Sequence, residues 1–86
     1  MCTYITEKVQ VTGAGKGAHG WFDLTDASVY LDHPVHARPD HTINLDFLNP
    51  AAGPGARVAV ELEPASARAL AEAILATLAS APPGLV

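Results

Sequence analysis

At 86 residues, of which 49% are hydrophobic and 16% charged, the chain has the size and composition of one small globular domain. A formal net charge of −4 with only five Lys and Arg residues argues against a nucleic-acid-binding surface. There is neither an apolar run long enough to cross a bilayer nor a basic-then-apolar secretory leader, so we expect a cytoplasmic protein without a membrane partner.

Four stretches of the chain alternate between apolar and polar residues, as strands do when one face is buried. They predict strands over about residues 3–12, 21–32, 41–48 and 56–62. The glycines between residues 13 and 20 predict a flexible connection, and the second strand is expected to be interrupted near Asp26. The stretch 49–55 is rich in Asn, Pro and Gly and predicts a turn.

The last predicted element is a helix over about residues 64–80. Pro64 suits the first helical position, because the N–H that it lacks would have no partner there. Apolar residues recur at helical spacing and form one stripe: Ala67, Leu70, Ala71, Ile74 and Leu78. The predicted fold is therefore α+β, a four-stranded antiparallel meander with one C-terminal helix packed on one face, in a single domain over residues 1–86.

The sheet face away from the helix is expected to be polar, with Tyr4, Thr6, Tyr30, Asn44, Asp46, Arg57 and Glu61. An antiparallel sheet can leave such a face in water, but its mixed character would also suit a homodimer that buries part of it. Asp46 and Glu61 could form an acid–base pair. Strand carboxylates are more often solvated or paired with a cation such as Arg57 or Lys8.

Three of the four histidines lie in one short stretch, with the spacing H-x2-H-x4-H. In an up-and-down meander this stretch shares one end of the sheet with the N-terminus, which carries the only cysteine. Histidine and cysteine are the main ligands of zinc, and nearby carboxylates often hold the second nitrogen of a ligand histidine. The sequence therefore predicts a metal site with Cys2, His33, His36 and His41 as ligands and Asp32 and Asp40 as their supporting carboxylates. Zinc is the first expectation, and iron or copper the second.

Several other interpretations compete with this metal site. The histidine stretch could be an ordinary exposed loop, because its spacing is not a diagnostic motif. The protein would then be a metal-free binding or dimerising module that uses its polar sheet face. With an open coordination position, three histidines would instead suit a small metal-dependent hydrolase or oxygenase. Lys16 and His19 form a weak anion-binding candidate at the opposite end of the sheet. Cys2 as an activated nucleophile is less favoured, since no oxyanion-stabilising group is identifiable.

Several blocks of this sequence resemble an uncharacterised family of short bacterial proteins. They are Met1-Cys2-Thr3-Tyr4-Ile5-Thr6-Glu7, Gly15-Lys16-Gly17 with Gly20-Trp21-Phe22, Val29-Tyr30-Leu31-Asp32-His33-Pro34-Val35-His36, and Asn44-Leu45-Asp46-Phe47-Leu48-Asn49-Pro50. The resemblance covers nearly the whole chain. It implies a small stand-alone protein, and it assigns neither a mechanism nor functional residues.

Overall fold

The computed structural model of the protein describes residues 5–33 and 41–86. In these ranges an antiparallel sheet of four strands precedes one helix: β1 (Ile5–Gly17), β2 (Gly20–Asp32), β3 (Thr42–Leu48), β4 (Arg57–Leu62) and α1 (Pro64–Ser80). The strands lie side by side in chain order, and each neighbouring pair is antiparallel. The predicted fold class, an α+β meander with one C-terminal helix, is confirmed.

The first hairpin is longer and more regular than the sequence suggested. The glycine-rich stretch does not form a flexible connection, because β1 continues to Gly17 and pairs with β2 as far as Gly20. Backbone hydrogen bonds hold this stretch, and a register shift between Gln10 and Gly13 absorbs the irregularity. The interruption expected near Asp26 is also wrong, since β2 runs unbroken over Gly20–Asp32, and Asp26 itself is paired with Gln10 of β1 and Leu48 of β3.

The end of the β1–β2 hairpin projects beyond β3 and lies close to the β3–β4 connection. Asp26 lies opposite Leu48, the last residue of β3, so the preceding part of β2 overhangs. At the tip, a Cβ placed on Gly17 would lie 3.1 Å from Cε1 of Phe22 and 3.5 Å from the carbonyl oxygen of Gly55. The tight clearance at Gly17 is therefore to the Phe22 ring within the hairpin, whereas a side chain there would meet the connection at an ordinary contact distance.

Cross-strand pairing divides the sheet into an apolar face and a polar face. Paired residues share a face, so the register places these residues on the apolar face: Ile5, Val9, Ala27, Val29, Leu31, Ile43, Leu45, Phe47, Val58, Val60 and Leu62. Glu7 lies on the same face of the edge strand β1, opposite Val29. The same register places these on the polar face: Thr6, Lys8, Ser28, Tyr30, Asp32, Thr42, Asn44, Asp46, Arg57 and Glu61. The predicted alternation of strands β3 and β4 is confirmed.

The polar face is the better buried of the two along β3. Thr42, Asn44 and Asp46 are buried, whereas the apolar residues between them are only half-buried. Among the described residues, Ala27 and Ala56 are the only buried apolar ones. On β3 the polar face is therefore not left in water, because its side chains are buried and hydrogen-bonded.

The helix lies over the apolar face without closing on it. No residue of α1 is buried, although Pro64 occupies the helix start as predicted. A wide groove of about 710 Å³ separates the helix from the sheet, and the sheet lines it with Val29, Ile43, Leu45, Phe47 and Leu62. Within the described part of the chain, no helix combines the length and the apolar character that crossing a membrane requires.

Candidate metal centre

The two ends of the predicted histidine stretch meet where β2 stops and β3 starts. Asp32 closes β2 and pairs with Thr42, which opens β3. His33 and His41 are the next residues outward on either side, and their ring centroids lie 4.7 Å apart with an interplanar angle of 35°. The antiparallel pairing of two strand ends thus brings together two histidines that are eight residues apart in the sequence.

The strand ends beneath the two imidazoles are buried and hydrogen-bonded. Asp32 and Thr42 are 2% and 0% exposed. The backbone N–H of His33 donates to Oδ1 of Asp32 at 2.7 Å, and Oγ1 of Thr42 donates to Oδ1 of Asn44 at 2.6 Å. These bonds fix the backbone from which His33 projects. The role of Asp32 as a partner of a ring nitrogen stays a prediction, because this bond goes to the His33 backbone.

The spacing of the two rings suits a shared metal ion. Two imidazoles bound about 2.1 Å from one zinc ion at a tetrahedral angle hold their ring centroids roughly 5 Å apart. The observed separation of 4.7 Å is close to that geometry. Within residues 5–33 and 41–86, however, no group of three or more His, Cys, Asp or Glu side chains is placed to hold a metal. The structure therefore brings together two of the four predicted ligands, while Cys2, His36 and Asp40 lie outside the described residues.

The predicted anion-binding residues lie at the other end of the β1–β2 hairpin. Lys16 is paired with Trp21, and His19 lies in the turn, where its Cδ2 would be 3.5 Å from a Cβ placed on Gly55. His19 is thus a histidine of the same chain that is remote from His33 and His41 along the sheet. Anion binding by Lys16 and His19 stays a prediction.

The polar face holds a network that sequence reasoning identified only in part. Asp46 accepts two hydrogen bonds at Oδ1 from Arg57, at 2.9 and 3.2 Å, and one at Oδ2 from the Tyr30 hydroxyl at 3.0 Å. The pairing with Arg57 was one of the expected arrangements, and Tyr30 was missed. In the register, Asp46 lies opposite Ser28 and Ala59, so both partners reach it diagonally from neighbouring strands. A long donor two positions out of register is the signal that could have identified Tyr30.

The network has clear electrostatic consequences. Burial, and then the hydrogen bond to Asp46, raise the pKa of Tyr30, so its hydroxyl stays protonated at neutral pH. The hydrogen bond and charge of Asp46 raise the pKa of Arg57 in turn. Asp46 is occupied by these two donors, and Glu61 lies opposite Asn44. The geometry therefore favours a structural ion pair over the acid–base pair of Asp46 and Glu61.

The chain belongs to a family of unknown function (DUF6295), whose profile matches residues 1–86. No curated protein and no solved structure matches it. The resemblance to an uncharacterised family is thus supported over the whole length. Family membership assigns no activity, so the functional argument depends on the geometry of the molecule itself.

Proposed function

We propose that this family member is a small cytoplasmic metal-binding protein that holds one transition-metal ion where β2 ends and β3 begins, with His33 and His41 as two of its ligands. The observation that carries this proposal is the approach of the two imidazoles, whose centroids lie 4.7 Å apart above a buried, hydrogen-bonded pair of strand ends. Neutral imidazole nitrogens are the commonest metal ligands in proteins. Strand ends also hold such ligands more precisely than a free loop would.

The chemistry of the remaining candidates supports zinc before iron or copper. His36 lies three residues after His33 in the sequence and five before His41, and Cys2 is the only thiol of the chain. Three imidazoles and one thiolate form a suitable donor set for a closed tetrahedral zinc site. A cysteine stays a free thiolate ligand most readily where thiols are kept reduced, which supports a cytoplasmic location. The coordinating groups in this proposal are side chains of Cys2, His33, His36 and His41, with Asp32 and Asp40 as supporting carboxylates.

The first experiment measures metal content and affinity. Tag-free protein, reloaded with zinc under reducing conditions, is expected to hold about one equivalent by elemental analysis, as a single mononuclear site requires. The His33→Ala/His41→Ala double variant is expected to lose it. His19→Ala is the matched control, because it removes a histidine at the opposite end of the hairpin and should retain the metal. Equal zinc content in the double variant and the parent would overturn the proposal.

The same site makes metal binding dependent on pH. Histidine and cysteine ligands bind zinc in their deprotonated forms, so acidification should release the metal as protons compete for the ligands. Cobalt substitution then tests the thiolate: near-ultraviolet sulfur-to-cobalt absorption is expected in the parent and should disappear in Cys2→Ser. Absence of that absorption in the parent would remove Cys2 from the ligand set while leaving the histidine site intact.

The two alternatives, a metal-dependent enzyme and a metal-free binding module, can be distinguished from the proposed site by experiment. A metal-dependent hydrolase or oxygenase would need an open coordination position, which azide or added imidazole would detect as a change in the cobalt spectrum. A metal-free module that uses the polar face is disfavoured by the buried bonds of Asn44 and Asp46, which leave these groups occupied. No spectral change with either probe would favour a closed structural or metal-handling site.

A further inference from the structure

One chain alone exposes far more surface than a folded protein of its mass. A compact monomer of 8.9 kDa is expected to expose about 4,800 Å², whereas this chain exposes 6430 Å². Its Cα radius of gyration is 14.4 Å, against about 12 Å for a compact chain of this length. The chain therefore leaves about 1,600 Å² more surface in water than its size predicts.

Much of this exposed surface is apolar and lies on one side of the molecule. The groove between α1 and the apolar sheet face is lined from the helix by Leu70, Ile74 and Leu75, and Ile74 is 54% exposed. On the sheet, Ile5 and Val9 of the edge strand β1 share this face and are 60% and 54% exposed. Glu7 lies between them on this face, so the continuous apolar surface is that of the groove between α1 and strands β2 to β4. An open apolar groove of this extent is typical of an interface rather than of a solvent-facing side.

We propose that a second copy of this chain fills the groove, forming a homodimer through α1 and the apolar face of the sheet. The area argues for a partner of this size, because a standard interface buries about 800 Å² per partner and obligate dimers bury more. Ala27 and Ala56 are the only buried apolar residues among those described, so a single chain buries little apolar surface. Small domains with such a small core often gain stability by oligomerisation.

The charges along the groove also suit a second copy. Arg68 and Glu72 both lie along it, one helical turn apart on α1. In a two-fold interface the same surface patch of each protomer faces that of the other. Arg68 of one protomer can therefore pair with Glu72 of the partner subunit, and symmetry then forms the reciprocal pair. The groove is therefore self-complementary in charge as well as apolar. The polar face, which carries the Asp46 network, stays outside this interface.

Sedimentation of the full chain in a chelator tests the proposal without a contribution from bridging metal. The protein should sediment as a dimer at about 100 µM, and its thermal midpoint should rise with protein concentration, as dimer dissociation linked to unfolding requires. Ile74→Glu places a charge in the groove and should weaken association by at least about 30-fold, as the loss of an interface hot spot does. Ala69→Glu puts the same charge on the opposite side of α1 and should remain dimeric.

Each outcome decides the matter. A parent chain that stays monomeric at about 100 µM, with a thermal midpoint independent of concentration, would overturn the proposal. A dimer that survives Ile74→Glu would overturn the assignment to this groove and would point to pairing along the exposed edge of β1. Should Ile74→Glu unfold, the concentration dependence of the parent still tests dimerisation. A graded Leu70→Ala variant then tests the groove, with looser association expected.

Discussion

The two faces of the sheet differ in burial, and along β3 the difference is the reverse of what their composition predicts: the polar face is buried and the apolar face is partly open. On β3, the polar side chains Thr42, Asn44 and Asp46 are buried, while the apolar residues between them are half-buried beneath an open groove. On the polar face, Thr42 bonds to Asn44, and Asp46 bonds to donors on both neighbouring strands. The apolar face has no comparable cover from its own helix. One face is thus hydrogen-bonded within a single chain, and the other leaves an open groove, which the proposed dimer would fill.

The difference between the faces also separates what stabilises the chain from what specifies its association. Hydrogen-bonded groups that are buried contribute modestly when paired and cost much when a partner is lost. Apolar surface gains free energy in proportion to the area removed from water, and in a single chain much of this area is still exposed. Mutations on the polar face should therefore act on a protomer at any concentration, whereas those in the groove should depend on protein concentration.

The largest effect is expected on the polar face at Asp46. Asp46→Ala removes the acceptor of three hydrogen bonds and leaves the Tyr30 hydroxyl and Arg57 without it. We expect a loss of about 2–3 kcal/mol in the free energy of unfolding, because a half-buried charged network is broken from one side. Arg57 is half exposed and recovers some hydration, which keeps the loss below that of a fully buried pair.

Urea unfolding measures this loss, and Asp23→Ala is its control. Asp23 lies exposed on the overhang of β2, so its replacement should change stability by less than about 0.5 kcal/mol. Both measurements are made at two protein concentrations. Equal effects of Asp46→Ala and Asp23→Ala would mean that the network contributes nothing to the free energy of unfolding. The polar face would then not stabilise the single chain, which contradicts the comparison of the two faces.

Alternation in the sequence was enough to predict the order of elements and the two faces. Ile43, Leu45 and Phe47 alternate with polar neighbours, and the helix stripe follows Pro64, so the meander with its C-terminal helix could be predicted. The burial of each face could not be predicted, because alternation shows which residues share a face but not which face is covered. The proximity of the hairpin tip at Gly17 to Gly55 joins residues far apart in the sequence, and local alternation does not predict it.

For the candidate site, the sequence could predict which end of the sheet carries the histidines, but not how closely their rings approach. An up-and-down meander places the end of β2 beside the start of β3, which is why His33 and His41 were expected at one end of the sheet. The approach of their rings to 4.7 Å depends on the exact pairing of Asp32 with Thr42, and a slip of one residue would turn the side chains to other faces. Sequence periodicity does not define register at that precision.

A smaller effect tests how tightly the tip of the β1–β2 hairpin is packed. Gly17→Ala places a Cβ 3.1 Å from the Phe22 ring, so the ring must move by a few tenths of an ångström, whereas the 3.5 Å to the Gly55 carbonyl oxygen is ordinary contact. We expect a cost of about 1–2 kcal/mol, as for modest overpacking. Gly13→Ala is the matched control in the same strand, because a Cβ there meets nothing within 4 Å. It should be neutral or slightly stabilising. Chemical denaturation of both variants distinguishes these results, and equal costs would show that the tip contact is not tight.

The smallest effect concerns Tyr30 and appears at alkaline pH. Burial and the hydrogen bond to Asp46 raise the pKa of Tyr30 above its ordinary value of 10.0. Below pH 10 the phenol is protonated in both states, and its stabilising contribution is fully present. As the pH rises toward the folded-state pKa, the unfolded chain loses the proton first, so the free energy of unfolding falls. Tyr30→Phe removes this dependence and the bond, which should cost about 0.5–1 kcal/mol at neutral pH.

The pH dependence of unfolding, compared between the parent and Tyr30→Phe, isolates this contribution from other alkaline titrations. The variant keeps Tyr4 and all lysines, so only the part due to Tyr30 differs. Near-ultraviolet tyrosinate absorbance follows the same group directly in the folded parent. If the two proteins lose stability in parallel above pH 10, Tyr30 is not held by Asp46 in solution, and the polar face is less enclosed than its bonds indicate. A steeper loss in the parent would show that the Tyr30 hydroxyl donates to Asp46 in solution, as the polar-face network requires.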